Sequence, residues 1–213
     1  MRRLLLSVAA AATLVYPVSA QYPRPQVPPQ PPAAQAPASP NTWTVDTNHT
    51  AAGFSVKHMM VSTVRGILGP VKGTIDYDGT SVDSLKADIT IDVTGVNTGN
   101  DGRDKDLKSN NFFDIAQFPT ATFKSKRVEP AGQGKFRLIG DLTIHGVTKE
   151  VALNVEGPSP ILKQANGAQR IGAAATTTLN RKDFGMQWNR MVEAAPVVGD
   201  EVQVTIDIEA NKR

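Results

Sequence analysis

Apolar and polar residues alternate over much of the chain. Phe54 and Val56 share one face of the stretch Phe54 to Val61. Val71, Gly73, Ile75 and Tyr77 oppose Lys72, Thr74, Asp76 and Asp78. Leu85, Ala87, Ile89, Ile91 and Val93 oppose Lys86, Asp88, Thr90, Asp92 and Thr94. The same period runs through Phe136, Leu138, Leu142 and Ile144, through Val151, Leu153 and Val155, and through Ile171, Ala173, Ala175, Thr177 and Leu179. It closes with Val202, Val204, Ile206 and Ile208. A period of two with one wet face predicts strands of an antiparallel sheet. Turn residues separate the runs at Asp78-Gly79, Pro130 to Gly134 and Glu156-Gly157-Pro158. Thr42 to Asp46 adds a short β-rich segment. Regular strands joined by short turns predict an all-β sandwich or barrel, and about eight strands with a single helix suit a closed barrel.

One segment breaks the period. Asp101 to Phe113 reads DGRDKDLKSNNFF. Asp101 can cap a helix, and Asp101/Lys105 and Asp104/Lys108 stand four residues apart. The pattern predicts a short helix ending near Asn110 or Asn111. Its low apolar content suits a position over one end of the sheet.

The remaining segments set the boundaries. Residues 1–20 carry Arg2 and Arg3, an apolar run from Leu4 to Val15 and Val18-Ser19-Ala20. The run is too short to span a bilayer. The order is that of a secretory signal peptide cut after Ala20. No cysteine follows it, which excludes a lipoprotein anchor. Residues 21–40 hold eight prolines and read as an extended, disordered linker. A single domain then spans 41–213, long enough for its own core.

Charge and composition mainly exclude. Removing Arg2 and Arg3 takes the 23 basic residues to 21 against 20 acidic ones. No basic block points to nucleic acid. Cysteine is absent, so export demands a core that holds without disulfides. His49, His58 and His145 lack metalloprotease spacing, and no metal site follows from them. No nucleophile elbow or phosphate loop occurs. Asp183-Phe184-Gly185 stands without the other kinase elements. Asn48-His49-Thr50 is a glycosylation sequon with meaning only in a eukaryotic secretory pathway. These features predict neither an enzyme nor a cofactor. Ala87, Ala173, Ala175, Gly73 and Gly140 fall on inward faces, and small inward groups favour a lined cavity over a filled interior.

Five stretches carry a resemblance. They are WTVDTNHTAAGFSVKHMMVSTVRG, DVTGVNTGNDGRDKDLKSNNFFDIAQFPTATFKS, GDLTIHGVTKEVALNVEG, RKDFGM and VQVTIDIEA, in that order. As a set the chain resembles the YceI-like family of exported lipid-binding proteins. The acidic, basic and Phe-Phe-Asp elements of that family stand here as Asp101, Arg103, Phe112, Phe113 and Asp114. The resemblance implies a lipocalin-like eight-stranded barrel with the helix over one end. It implies an apolar tunnel for an isoprenoid lipid, either a polyprenyl chain or an isoprenoid quinone, held for transport or storage. It also implies periplasmic or secreted residence. The candidate ligand-binding residues are Phe54, Val56, His58, Ile75, Ile89, Ile91, Phe112, Phe113, Phe123, Leu142, Ile144 and Ile206. His58 continues the face of Phe54 and Val56. It reads either as a hydrogen-bonding group for a head group or as a histidine tied to a neighbour such as Asp114. Arg65 and Arg103 are further candidates for an anionic head, with a solvated surface role as the alternative. Binding of fatty acids or amides, or a ligand-free stress-related interaction domain, stay open. So do transient membrane contact without stable insertion and a homodimer paired through exposed strands.

Overall fold

The computed structural model describes residues 39–132, 134–192 and 195–212. The expected signal peptide 1–20 and nearly all of the expected linker 21–40 lie outside them. Strands follow in the order β1 (Thr42–Val45), β2 (Ala51–His58), β3 (Ser62–Ile67), β4 (Val71–Asp76) and β5 (Lys86–Asp92). After helix α1 (Asp101–Lys108) come β6 (Thr120–Pro130), β7 (Lys135–Ile144) and β8 (Val147–Glu156). Then come β9 (Leu162–Lys163), β10 (Gln169–Asn180), β11 (Met191–Val192), β12 (Ala195–Pro196) and β13 (Val198–Lys212).

The sheet closes on itself. β10 pairs antiparallel with β13 along its whole length, from Gln169↔Lys212 to Asn180↔Glu201. On its other edge β13 meets two strands in succession. Its first part pairs with β2, from His58↔Val198 to Ala51↔Asp207, and its last part with β1 at Val45↔Ala210 and Thr44↔Asn211. β1 and β2 are thus one barrel position broken at residues 46–50. β3 and β4 form the next position, since β3 pairs with β2 and β4 with β1. The circuit continues through β5, β6, β7, β8 and β10 back to β13. This is a closed, eight-stranded antiparallel barrel, as the alternation predicts. Closure removes most exposed sheet edges, leaving one side of β3 and of the two-residue β9 unpaired by a strand.

Two strands of the barrel escape the period-two reading, as do the two-residue strands β9, β11 and β12. β6 carries a register shift between Ser125 and Arg127, so its alternation changes phase midway. β3 is short and contains Gly66, which weakens a strand signal. The run expected from Phe54 to Val61 ends instead at His58, where the chain turns through Met59 and Met60.

The helix also differs from expectation at its ends. Asn100 rather than Asp101 is the cap, its side chain accepting from the Arg103 N–H at 3.0 Å. The helix ends at Lys108, capped by Ser109, so Asn110 and Asn111 lie beyond it. No Asp104–Lys108 ion pair forms. Asp104 is buried and accepts from the Thr98 N–H at 2.9 Å and from its hydroxyl. Two short hydrogen bonds in a dry site outweigh an exposed ion pair.

The inward glycines do not behave as the alanines do. A Cβ on Gly140 would lie 2.6 Å from Phe123 Cζ, so the ring of Phe123 already fills that space. Gly73 has φ +149°, and a Cβ there would lie 2.1 Å from the carbonyl oxygen of Asp88. Both serve close packing of chain on chain. Ala87, Ala173 and Ala175 face open lumen instead.

Candidate ligand-binding cavity

The barrel interior is not filled. A cavity of about 130 Å³ runs between β4, β5, β6, β7, β8, β10 and β13, and no polar atom contributes to its open wall. A second, of about 90 Å³ and equally apolar, lies beneath α1. Leu68, Ala121, Ile144, Leu179 and Val204 line both, so the two are sections of one lumen. Along β13 the lining runs from Val198 to Ala210. That is about 40 Å of strand, or about 30 Å along the axis of a barrel whose strands tilt by 35–45°. Inward residues such as Val204, Ile206, Ile208, Leu142 and Ile144 are only half-buried. Side chains facing a packed core lose nearly all their exposure; these keep some because their neighbours leave a void.

The two ends are built differently. At one end Trp43 is fully buried, and its Nε1–H donates to the Tyr77 carbonyl at 2.9 Å. It belongs to a cluster with Tyr77, Leu85, Phe136, Val155 and Ile171. At the other end the chain leaves the sheet after β5, crosses as α1 and returns at β6. Leu107, Phe112 and Phe113 from that excursion line the second cavity. Phe112 meets Trp188 with ring centroids 5.4 Å apart. Ile67 and Asn97 exchange two backbone hydrogen bonds, which join the excursion to the free edge of β3.

One charged residue touches the lumen among the described residues. Arg181 is 3% exposed. Its guanidinium donates to the carbonyls of Gly199, Met186 and Trp188 and to Asp200 Oδ1. Burial pushes its pKa down, and the Asp200 carboxylate opposes that shift. With its donors turned to Met186, Trp188, Gly199 and Asp200, Arg181 presents its carbon stem to the cavity. It clamps Phe184 and Met186 into the cavity wall.

The candidate residues separate cleanly. Ile75, Ile89, Ile91, Phe123, Leu142, Ile144 and Ile206 line the larger cavity. Phe54, Val56, Phe112 and Phe113 line the smaller one. His58 lines neither. It ends β2 opposite Ser62 and Val198, where the register of β13 shifts. Asp114 takes its hydrogen bond from Gln117, at 2.6 Å, not from His58. Arg65 is exposed on the outer surface. Arg103 is spent on Thr98, donating to its hydroxyl at 2.7 Å and its carbonyl at 3.1 Å. Sequence reasoning missed Leu107, Arg181, Phe184 and Met186. Leu107 is the lone apolar residue of a polar helix, and Arg181, Phe184 and Met186 follow β10 where the period has ended; only the hydrophobic character of Leu107, Phe184 and Met186 hinted at them.

Outside the lumen, Asp46, His49 and Glu209 converge. His49 Nδ1 lies 3.0 Å from Asp46 Oδ2 and 4.0 Å from Glu209 Oε1. Asn211 Nδ2 also donates to Asp46, at 3.0 Å, and Arg170 donates to Glu209. Each carboxylate therefore already has a donor. The group acts as a strut across the break between β1 and β2 rather than as an open metal centre. The hydrogen bonds from His49 and Asn211 hold the Asp46 carboxyl down at about 2. A depressed carboxyl contributes stability above its unfolded value, and the contribution is lost as pH falls through the folded value. Asp46→Asn should thus weaken the fold at neutral pH and flatten its acid limb between about pH 4 and about pH 2. Thermal melts stepped through that window measure it; superimposable acid limbs would refute it.

A closed eight-stranded antiparallel barrel around an apolar lumen is lipocalin-like in architecture. The YceI-like domain model matches residues 43–210. The chain belongs to the YceI-like family. A UPF0312 protein of Staphylococcus aureus is 35% identical over 156 residues, 73% of this chain and 88% of that protein. A crystal structure of a Campylobacter jejuni YceI protein is 31% identical, covers 74% of this chain and 90% of its own, and superposes with TM-score 0.64. Burkholderia cenocepacia BcnA, 23% identical, covers 78% of this chain and 98% of its own with TM-score 0.66. A polyisoprenoid binding domain from Saccharophagus degradans, implicated in plant cell wall breakdown, is 18% identical. It covers 80% of this chain and 98% of its own with TM-score 0.60. These last two share the fold.

Proposed function

We propose that the chain is an exported, periplasmic binding protein that holds an isoprenoid lipid in its lumen for transport or storage, and that it catalyses no reaction. The observation that carries this reading is the unfilled lumen, wholly apolar and about 30 Å long. That length matches the hydrocarbon core of a bilayer, which suits a long chain better than a compact ligand. The polyisoprenoid-binding description of the Saccharophagus degradans domain supports the choice of chain. The basic-apolar-small order of residues 1–20 supports export.

The energetics fit a carrier. Each five-carbon unit kept from water is worth on the order of 3–4 kcal/mol, at about 0.8 per CH₂. Membrane and lumen both satisfy the tail, so exchange between them is near neutral. A wall that exposes no polar atom to the lumen offers nothing to a buried head group. Arg181, the one charge at hand, is already engaged. A fatty acid would have to leave its carboxylate at a mouth or bury it unpaired. Polyprenyl alcohols should therefore outcompete fatty acids of equal carbon number.

Native mass spectrometry of protein purified from the periplasm without detergent, then organic extraction, tests the reading. A stoichiometric polyprenyl or quinone adduct is the expected result. Bare protein that also refuses added prenyl lipid would overturn it, and a fatty acid adduct would overturn the isoprenoid assignment.

A further inference from the structure

Two exposed apolar tips stand together at the end of the barrel that α1 covers. The first joins β2 to β3. The Val61 N–H donates to the His58 carbonyl at 3.1 Å and closes a tight turn with Met59 at φ +50° and Met60 at φ +59°. A turn with two left-handed central residues favours Asn-Gly, because side chains there are strained. Here it carries two methionines. Met60 is 59% exposed and Val61 86%. The second tip is Met191 of the β11–β12 hairpin, also exposed. The tips are neighbours. The Met59 N–H donates to the Val197 carbonyl at 3.0 Å, and the Val197 N–H donates to the Arg190 carbonyl at 2.8 Å. Val56 and Val198, next along these same strands, line the smaller cavity.

Three basic residues flank the tips, against one acid, Glu193, in the sequence of the second hairpin. Lys57 and Arg65 share the outer face of the β2–β3 hairpin, and Arg190 precedes Met191. All three are exposed and pair with no carboxylate among the described residues. Asp200, the acid nearest in the chain to β13's start, is occupied by Arg181 and Lys182.

We propose that these tips form a membrane-docking surface. Met60, Val61 and Met191 enter the interfacial layer of an anionic phospholipid bilayer, and Lys57, Arg65 and Arg190 face its head groups. The inference rests on the lipid-binding reading. An isoprenoid chain crosses water at prohibitive cost, so a carrier must meet the bilayer with the end through which lipid passes. The surface suits a bilayer better than a protein. Two small tips offer far less than the roughly 800 Å² per partner that a stable protein interface buries. Flexible methionine also suits a fluid, shapeless partner. Apolar side chains flanked by cations are the composition that binds anionic interfaces.

Three measurements on the full mature chain test this. The first is co-sedimentation with vesicles of phosphatidylethanolamine and phosphatidylglycerol, against phosphatidylcholine alone. The second is uptake of a polyprenol from the mixed vesicles. The third is affinity for farnesol in free solution. Paired Met60→Asp and Val61→Asp substitutions should lower vesicle binding and slow uptake by roughly tenfold or more, with farnesol affinity unchanged. Lys57→Glu with Arg65→Glu should do the same on anionic vesicles without touching the turn. Val61→Trp fluorescence should be quenched by brominated lipid. Variants that bind vesicles and take up polyprenol like the parent, while binding farnesol normally, would overturn the docking surface alone. A parent protein that binds no farnesol would overturn the lipid-binding reading beneath it.

Discussion

Ala175→Phe should leave the barrel folded and empty of lipid. Ala175 sits midway along β10, paired with Ile206 of β13 on one side and Val155 of β8 on the other. Its methyl group faces the larger cavity. A phenyl ring at this site projects into the larger cavity, which offers about 130 Å³ in all. Overpacking costs about 1–3 kcal/mol in a filled core; filling a void instead commonly adds about 0.5–2 kcal/mol. The melting temperature should therefore hold or rise. A chain threading the same section must give up contact with the wall. Returning only two methylenes to water costs about 1.6 kcal/mol, already more than tenfold in affinity. Thr176→Phe, one residue along and facing outward, is the control and should bind as the parent does. Lipid extracted per mole of protein decides the matter. An Ala175→Phe protein that carries as much lipid as the parent would mean the lumen is not the site.

The choice of Ala175 shows how far the sequence reaches. Alternation alone puts Ile171, Ala173, Ala175, Thr177 and Leu179 on one face, and the structure shows these positions at the lumen wall. Small size was a sound signal of open volume for Ala87, Ala173 and Ala175. It failed for Gly73 and Gly140, because a glycine also lets a distant group approach, the Asp88 carbonyl in one case and the Phe123 ring in the other. Nothing local tells a vacancy from a close approach. His58 shows a similar limit. Parity extends the Phe54–Val56 face to it, but the register of β13 shifts there and neither cavity reaches it. The helix was legible from its charges, yet its first capping group and the fate of Asp104 depended on Asn100 and Thr98, outside the charged run. Periodic patterns describe what lies along a strand, and they are silent where a loop closes over the end of a barrel.

Arg181→Met should cost about 3 kcal/mol of stability and quicken lipid exchange. Read as sequence, Arg181 only precedes Lys182-Asp183-Phe184-Gly185, and its partners stand 5 to 19 residues further on. Folded, it draws the carbonyls of Met186, Trp188 and Gly199 to one point, at 2.5, 2.8 and 2.9 Å. Methionine matches the carbon stem but leaves all three acceptors without their donor. An orphaned buried acceptor costs about 1–3 kcal/mol. Trp188 is half-buried and Asp200 is 40% exposed, so water can reach part of the network. The low end of that range is therefore the right one. In a domain of this size it lowers the melting temperature by about 6–12 °C. Arg181→Lys keeps the charge and loses the fork, since one ammonium cannot serve three divergent carbonyls and a carboxylate. It should recover less than half of the loss. Asp200→Asn should matter less than either, because that carboxylate is partly solvated. Phe184 and Met186 hang from the clamped segment and wall the smaller cavity. Loosening them should raise the dissociation rate of bound prenol even at temperatures where the barrel is fully folded. An Arg181→Met protein with the parent's melting temperature and off-rate would show that the guanidinium holds neither the segment nor the lumen it closes.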